Sequence, residues 1–208
     1  MQSFLLLVAV VLGVVNAQNF GEGFNSTSVG GLFKVAPAVV DIDLAAYIGY
    51  WYQMYADPLV MSTIEKNSFC DSALYGAPDA SGHISVKNTA KINGPTAADG
   101  DYVITGDAYC PDSSKPGELM VKFDPDQGAP DFAAPYWVLE LGPINDKGMY
   151  DYAIVSDNLS QFLFVLARDY TEFNAKYDAS VQTSLNNLGF KGYKKPISIH
   201  QGADCDYK

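Results

Sequence analysis

Three cysteines, two histidines and a scatter of carboxylates are the side chains of this chain best suited to making or breaking bonds. A thiol nucleophile needs a depressed pKa and a nearby cation, and Cys70-Asp71-Ser72 offers no cation beside its cysteine. In an oxidising compartment Cys70, Cys110 and Cys205 yield one disulfide and one leftover thiol. Cys205 stands in a polar C-terminal tail that a disulfide would pin down, and spacing leaves both Cys70 and Cys110 open as its partner. His83 and His200 lie far apart, and no Cys/His/carboxylate group has metal-ligand spacing, so neither a metal nor another cofactor is expected. Asp124-Pro125-Asp126 reads as a solvated loop rather than a catalytic carboxylate pair. Neither a Gly-x-Ser-x-Gly elbow nor a glycine-rich phosphate loop is present. What remains is non-covalent chemistry, the burial of an apolar molecule among apolar side chains.

The elements that would form such a container are legible as eight strand-like runs. They are Gly49–Asp57, Ser68–Gly76, His83–Ile92, Tyr102–Cys110, Gly117–Asp124, Pro135–Leu141, Tyr150–Ser156 and Gln161–Arg168. Turn signals such as Asp79-Ala80-Ser81-Gly82, Asn93-Gly94-Pro95 and Asp146-Lys147-Gly148 separate them. Short connections favour antiparallel neighbours, so the expected fold is all-β: an eight-stranded antiparallel up-and-down β-barrel over about 49–168. Gly49 lets the backbone enter the first strand freely, and Trp51, two residues on, can plug one end. The last run is apolar on both faces: Phe162, Phe164 and Leu166 on one, Leu163, Val165 and Ala167 on the other. It must therefore be covered outside. Phe173, Tyr177, Val181, Leu185 and Leu188 recur at helical spacing, which predicts a C-terminal α-helix over 171–188, capped by Thr171 and stopped by Gly189, packed on the barrel. A tail, 189–208, follows, with a short strand candidate at Pro196–His200.

Met1–Ala17 carries no charged side chain, is apolar from Phe4 to Val15 and ends Val15-Asn16-Ala17, which predicts a cleaved signal peptide. A Gly/Ser/Asn-rich leader, 18–40, precedes the barrel domain, 41–208. A formal net charge of −11 argues against a nucleic-acid partner and against docking on anionic membranes. The expectation is a secreted, extracellular monomer without stable membrane insertion. Sequons at Asn25 and Asn158 fit that setting.

Alternation assigns the inward face. The candidates are Gln53 and Tyr55, Ala73 and Tyr75, Val86, Asn88 and Ala90, Ala108, Phe123, Trp137 and Leu139, Val155, Phe162 and Phe164. A few polar groups among many apolar ones is the usual make-up of a small-molecule site, although eight-stranded barrels also occur with filled interiors. Met61, Phe132 and Pro135 are candidates for an apolar lip, and Lys66 is the only cation near it.

Three motifs carry a family resemblance. They are Asp43-Leu44-x-x-Tyr47-Ile48-Gly49-Tyr50-Trp51-Tyr52, then Tyr150-Asp151-Tyr152-Ala153-Ile154-Val155, then Leu163-Phe164-Val165-Leu166-Ala167-Arg168. Together they resemble the lipocalin family over about Val40 to Cys205. Tyr150 stands where the family usually has Thr. Pro135-Tyr136-Trp137-Val138-Leu139 is similar to the branch of apolipoprotein D and the bacterial outer-membrane lipocalins. The resemblance implies a calyx closed at the Trp51 end, with Gly49, Trp51 and Arg168 as barrel-closing residues and Arg168 packed over Trp51. It favours Cys70–Cys205 as the bridge, while lipocalins that tie the tail to the fourth strand favour Cys110–Cys205. It also implies a non-enzymatic carrier of a fatty acid, lysolipid, sterol-like molecule, retinoid or tetrapyrrole pigment, for transport, defence or colouration. The alternative it raises is a thiol-dependent lipocalin enzyme of the prostaglandin D synthase type, resting on Cys70-Asp71-Ser72.

Overall fold

The computed structural model describes residues 42–207. The predicted signal peptide, the leader and the sequon at Asn25 lie outside them. Asp43 caps a short helix, α1 (Leu44–Tyr47), by accepting from Ala45 N at 2.9 Å. The chain then enters β1 (Gly49–Ala56), a short helix α2 (Pro58–Ser62), β2 (Ser68–Pro78), β3 (Ile84–Ile92) and β4 (Asp101–Tyr109). It continues through β5 (Glu118–Phe123), β6 (Ala134–Leu141), β7 (Tyr152–Ser156) and β8 (Leu163–Ala167). Each strand from β1 to β8 pairs antiparallel with its neighbours in sequence, and β1 pairs with both β2 and β8, so the barrel closes. This is the eight-stranded up-and-down barrel expected from the turn spacing. A ninth strand, β9 (Ile197–Ser198), lies outside it, paired with Tyr55 and Ala56 of β1.

The outer cover differs in detail from the single helix predicted over 171–188. Asp169, not Thr171, is the cap: its carboxylate accepts from the backbone of Thr171 and Glu172. Helix α3 (Tyr170–Lys176) breaks at Tyr177 before α4 (Asp178–Leu188), and Gly189 ends α4 at φ +99°. The predicted stripe nevertheless packs as one surface. Phe173, Val181 and Leu185 are buried against Met54, Tyr152, Ile154, Leu163, Val165 and Ala167, with Tyr177 and Leu188 at the margin. That layer is why β7 and β8 are apolar on both faces.

The tail is held on β1 and β2. Cys70 N donates to His200 O at 2.9 Å, and Gln201 Nε2 donates to the carbonyls of Gln53 and Asp71, 2.8 Å each. Cys205 is disulfide-bonded to Cys70, the alternative that the resemblance favoured, and Cys110 is the free cysteine among the described residues. The bridge links residues 135 apart. A loop of that length implies a large loss of unfolded-state entropy when closed, of which engineered and native bridges typically deliver about 2–4 kcal/mol. The Cys70→Ser/Cys205→Ser double variant is therefore expected to lose about 3 kcal/mol in urea unfolding. A loss under about 1 kcal/mol would show that the tail's hydrogen bonds hold it without the bridge.

Candidate ligand-binding site

The closed end of the barrel is built around Arg168. Its guanidinium carbon lies 3.6 Å above the Trp51 ring centroid. Its nitrogens donate to the carbonyls of Tyr50 (2.8 Å), Ala46 (3.0 Å), Tyr47 (2.7 Å), Ile48 (2.8 Å) and Tyr150 (3.3 Å). Four of these carbonyls lie at the end of α1 and the entry to β1, and the fifth, that of Tyr150, precedes β7. Gly49 is required here on two counts. It sits at φ +100°, and a Cβ would come within 3.2 Å of Arg168 Nη1. Desolvation draws the guanidinium down to about 10, still charged at neutral pH. Trp51 is fully buried and donates its indole N–H to Tyr47 O at 2.8 Å.

Above Trp51 stand three tyrosines whose hydroxyls meet. Tyr136 Oη lies 2.6 Å from Tyr47 Oη and 2.9 Å from Tyr75 Oη. Burial raises all three pKa values, that of Tyr75 to about 12, so the cluster stays neutral.

The inner face then divides along the barrel axis. Near the closed end, Ala73, Tyr75, Val86, Ala108, Leu119, Val138, Val155 and Leu166 are buried as one core. Towards the opposite end, Asn88, Ala90, Ile104, Phe123, Tyr136 and Phe164 share the inner face by register yet remain partly exposed. Ala90 also borders a small surface cleft with Cys70, Lys91, Asp206 and Tyr207, so its exposure is not all from within. The base is filled, and the upper half of the inner face is less completely buried. Ala56, Val60 and Ile199 are buried at the rim, with Met61, Phe162 and Phe164 packed against them, so Met61 and Phe162 line the lip.

Of the residues predicted to point inward, Gln53, Ala73, Tyr75, Val86, Asn88, Ala90, Ala108, Phe123, Val155 and Phe164 lie on the inner face. Three do not. Register shifts after Gln53, so Tyr55 turns outward, stacks near Phe173 and donates to Asp178 Oδ1 of α4 at 2.7 Å. Trp137 is opposite Glu118 and Leu139 packs into the outer cluster beneath the helices, so both are outside as well. Tyr136 and Val138 hold the inner positions of β6. Strand β6 is apolar on both faces because its outer side is covered, so alternation alone gave no sign of which face was which. Pro135, expected at the lip, also has outward parity, opposite Met120.

Alternation also missed an acidic wall. Gln53 is opposite Leu166 and faces inward, where its Nε2 donates to Glu65 Oε2 at 2.5 Å. Asp71 lies in a bulge of β2 between Phe69 and Ser72, next to Cys70 at φ +58°. Its parity with Ala73 was the signal available in sequence; Glu65, in the loop between β1 and β2, offered none. Burial raises both carboxyls, Asp71 to about 7 and Glu65 well above the usual carboxylate range, with the mutual repulsion of the two acids adding to Glu65.

The bond-making candidates do not assemble. Cys70 is oxidised in the disulfide, which removes the thiol on which the prostaglandin D synthase alternative rested. Ligand atoms of His200, Asp204 and Cys205 lie within 4.8 Å of one another, but the Cys205 sulfur belongs to the disulfide, leaving an exposed His–Asp pair. Asn158 sits in the turn between β7 and β8, partly exposed.

A sequence profile of the lipocalin-like domain matches residues 42–195. The chain belongs to the lipocalin family. No curated protein matches this lipocalin by sequence. Solved structures resemble it at low identity. Insecticyanin from the tobacco hornworm Manduca sexta is 21% identical, with a TM-score of 0.59 over 85% of this chain and 90% of that one. Japanin from Rhipicephalus appendiculatus, solved with cholesterol, is 13% identical, with a TM-score of 0.52 over 79% and 100%. The amine-binding protein of Rhodnius prolixus, solved as its tryptamine complex, is 14% identical, with a TM-score of 0.52 over 85% and 90%. At these identities the likeness is one of fold.

Proposed function

We propose that this lipocalin is a secreted, non-enzymatic carrier that holds one small hydrophobic molecule in the upper half of its barrel. The observation that carries the reading is the division of the inner face: a filled base under a less buried, mostly apolar upper half, the cup of this reading. Ala90, Phe123, Phe162 and Phe164 from the sequence reading, joined by Ile104 and Tyr136, would line the cup. Burial of the ligand's apolar surface there is worth about 25 cal/mol per Å². The binding of cholesterol by japanin and of tryptamine by the Rhodnius protein supports such a use of the fold. Secretion rests on the N-terminal apolar segment, the Cys70–Cys205 bridge and the sequons at Asn25 and Asn158. The classes of ligand that suit such a cup are sterol-like, retinoid, fatty-acid, lysolipid and tetrapyrrole molecules.

Retinol fluorescence tests the reading. Wild-type protein is expected to bind retinol at one to one. Ala90→Trp, which fills the cup, is expected to weaken binding at least tenfold, while Trp137→Ala on the outer face leaves it unchanged. Unsaturable uptake, or equal affinity in the Ala90→Trp variant, would place any binding elsewhere.

A further inference from the structure

The upper interior is apolar except on one wall, where two carboxyl groups face inward with no cation beside them among the described residues. Asp71 is only 5% exposed. Ser68 is 6% exposed and sits opposite Ile92, which puts it on the inner face beside Asp71; its hydroxyl lies against the Asp71 carboxyl, and neither group has a partner beyond the other among the described residues. Asn88, opposite Ala73 on the same face, has a buried Oδ1 with no partner. Glu65 closes the group from the loop above, held by Gln53. None of the ion pairs among the described residues includes Glu65 or Asp71. Buried carboxylates without a cation are costly and ordinarily paired. Two inward carboxyls and the open Asn88 Oδ1 on one wall, with no cation beside them among the described residues, match a group that only donates, which is an ammonium. The partly exposed rings of Phe123, Tyr136 and Phe164 share the inner face with that wall.

We propose that the molecule carried in the barrel is an amine: its protonated nitrogen sits against Asp71 and Glu65, and its apolar body lies against the rings of the cup. This rests on the carrier reading above and narrows it. It also accounts for why the acidic wall is retained in an otherwise apolar interior, where it would only weaken the binding of a neutral or anionic lipid.

Isothermal titration calorimetry with tryptamine and tryptophol, which share the indole-ethyl frame and differ in ammonium against hydroxyl, tests the proposal. Wild-type protein is expected to bind tryptamine at least tenfold more tightly than tryptophol, and tryptamine is expected to displace retinol competitively. Asp71→Asn and Glu65→Gln are each expected to cut the preference to threefold or less, with circular dichroism and urea unfolding confirming that both variants fold. Retinol binding without a tryptamine preference, or a preference that survives both substitutions, would overturn the amine assignment and leave the carrier reading standing. Failure of retinol and both indoles to bind wild-type protein would overturn the carrier reading as well.

Discussion

Truncation of Arg168 to alanine is expected to destabilise the protein by about 3–4 kcal/mol in urea unfolding. The guanidinium serves carbonyls of Ala46, Tyr47, Ile48, Tyr50 and Tyr150 and covers the Trp51 ring. Ala46 O keeps the Tyr150 N–H and Tyr47 O keeps the Trp51 indole N–H; each buried carbonyl left without a donor costs about 1–3 kcal/mol, less where water reaches it, and the lost cation–π contact adds about 1–2 kcal/mol. Those contributions overlap, which is why the expected total stays well under their sum. Arg168→Lys keeps the charge and most of the stem. A single ammonium cannot reach acceptors spread around a planar fork, so lysine is expected to restore less than half of the loss. A cost below about 1 kcal/mol for the alanine variant would mean that Trp51 and α1 close the barrel without the arginine.

Stability is expected to fall as pH rises from about 5.5 to 8.5. Asp71, Glu65 and Asp57 are all raised above their ordinary values, chiefly by burial, Asp71 to about 7. A carboxyl raised in the folded state binds its proton more tightly there than in the unfolded chain. Between the two pKa values the folded protein therefore holds more protons, and the stabilisation, complete below the unfolded value, is lost as pH climbs through the folded one. Each proton so retained changes stability by about 1.4 kcal/mol per pH unit, so a loss of about 2–3 kcal/mol is expected across the window. Urea unfolding at pH 5.5, 7 and 8.5 measures it. Asp71→Asn should flatten the dependence and stabilise the protein at pH 8.5. A stability that rises with pH, or an unaltered slope in that variant, would contradict the placement of Asp71 inside the barrel. Most acidic proteins tend the other way, because paired surface carboxylates lower their own pKa values, as Asp79, Asp112 and Asp204 do here.

Particular residues show why the fold was legible in sequence and the site only in part. Turn residues and strand length specify an up-and-down barrel locally, and the closing roles of Gly49, Trp51 and Arg168 are legible through the resemblance to lipocalins. Facing is a finer matter. In β2 and β3, where polar and apolar residues alternate, Ala73, Tyr75 and Val86 were assigned correctly. In β1 a single bulge after Gln53 reversed Tyr55. In β6, apolar on both faces, alternation does not separate Trp137 and Leu139 from the inward Tyr136 and Val138. Asp71 was passed over as a polar residue in a strand otherwise read for its apolar members, and Glu65 reaches the interior from a loop whose path only the folded chain reveals. The cap at Asp169 was one turn signal earlier than the Thr171 chosen, and the break at Tyr177 leaves no mark in a continuous apolar stripe.

A crystal structure of the protein soaked with retinol tests the central claim most directly. The account predicts density for one molecule in the upper half of the barrel, between Ile104, Phe123, Tyr136 and Phe164, with the base around Trp51 and Arg168 unmoved. An empty barrel with the probe bound to the outer surface, or inner side chains collapsed to fill the cup, would contradict it.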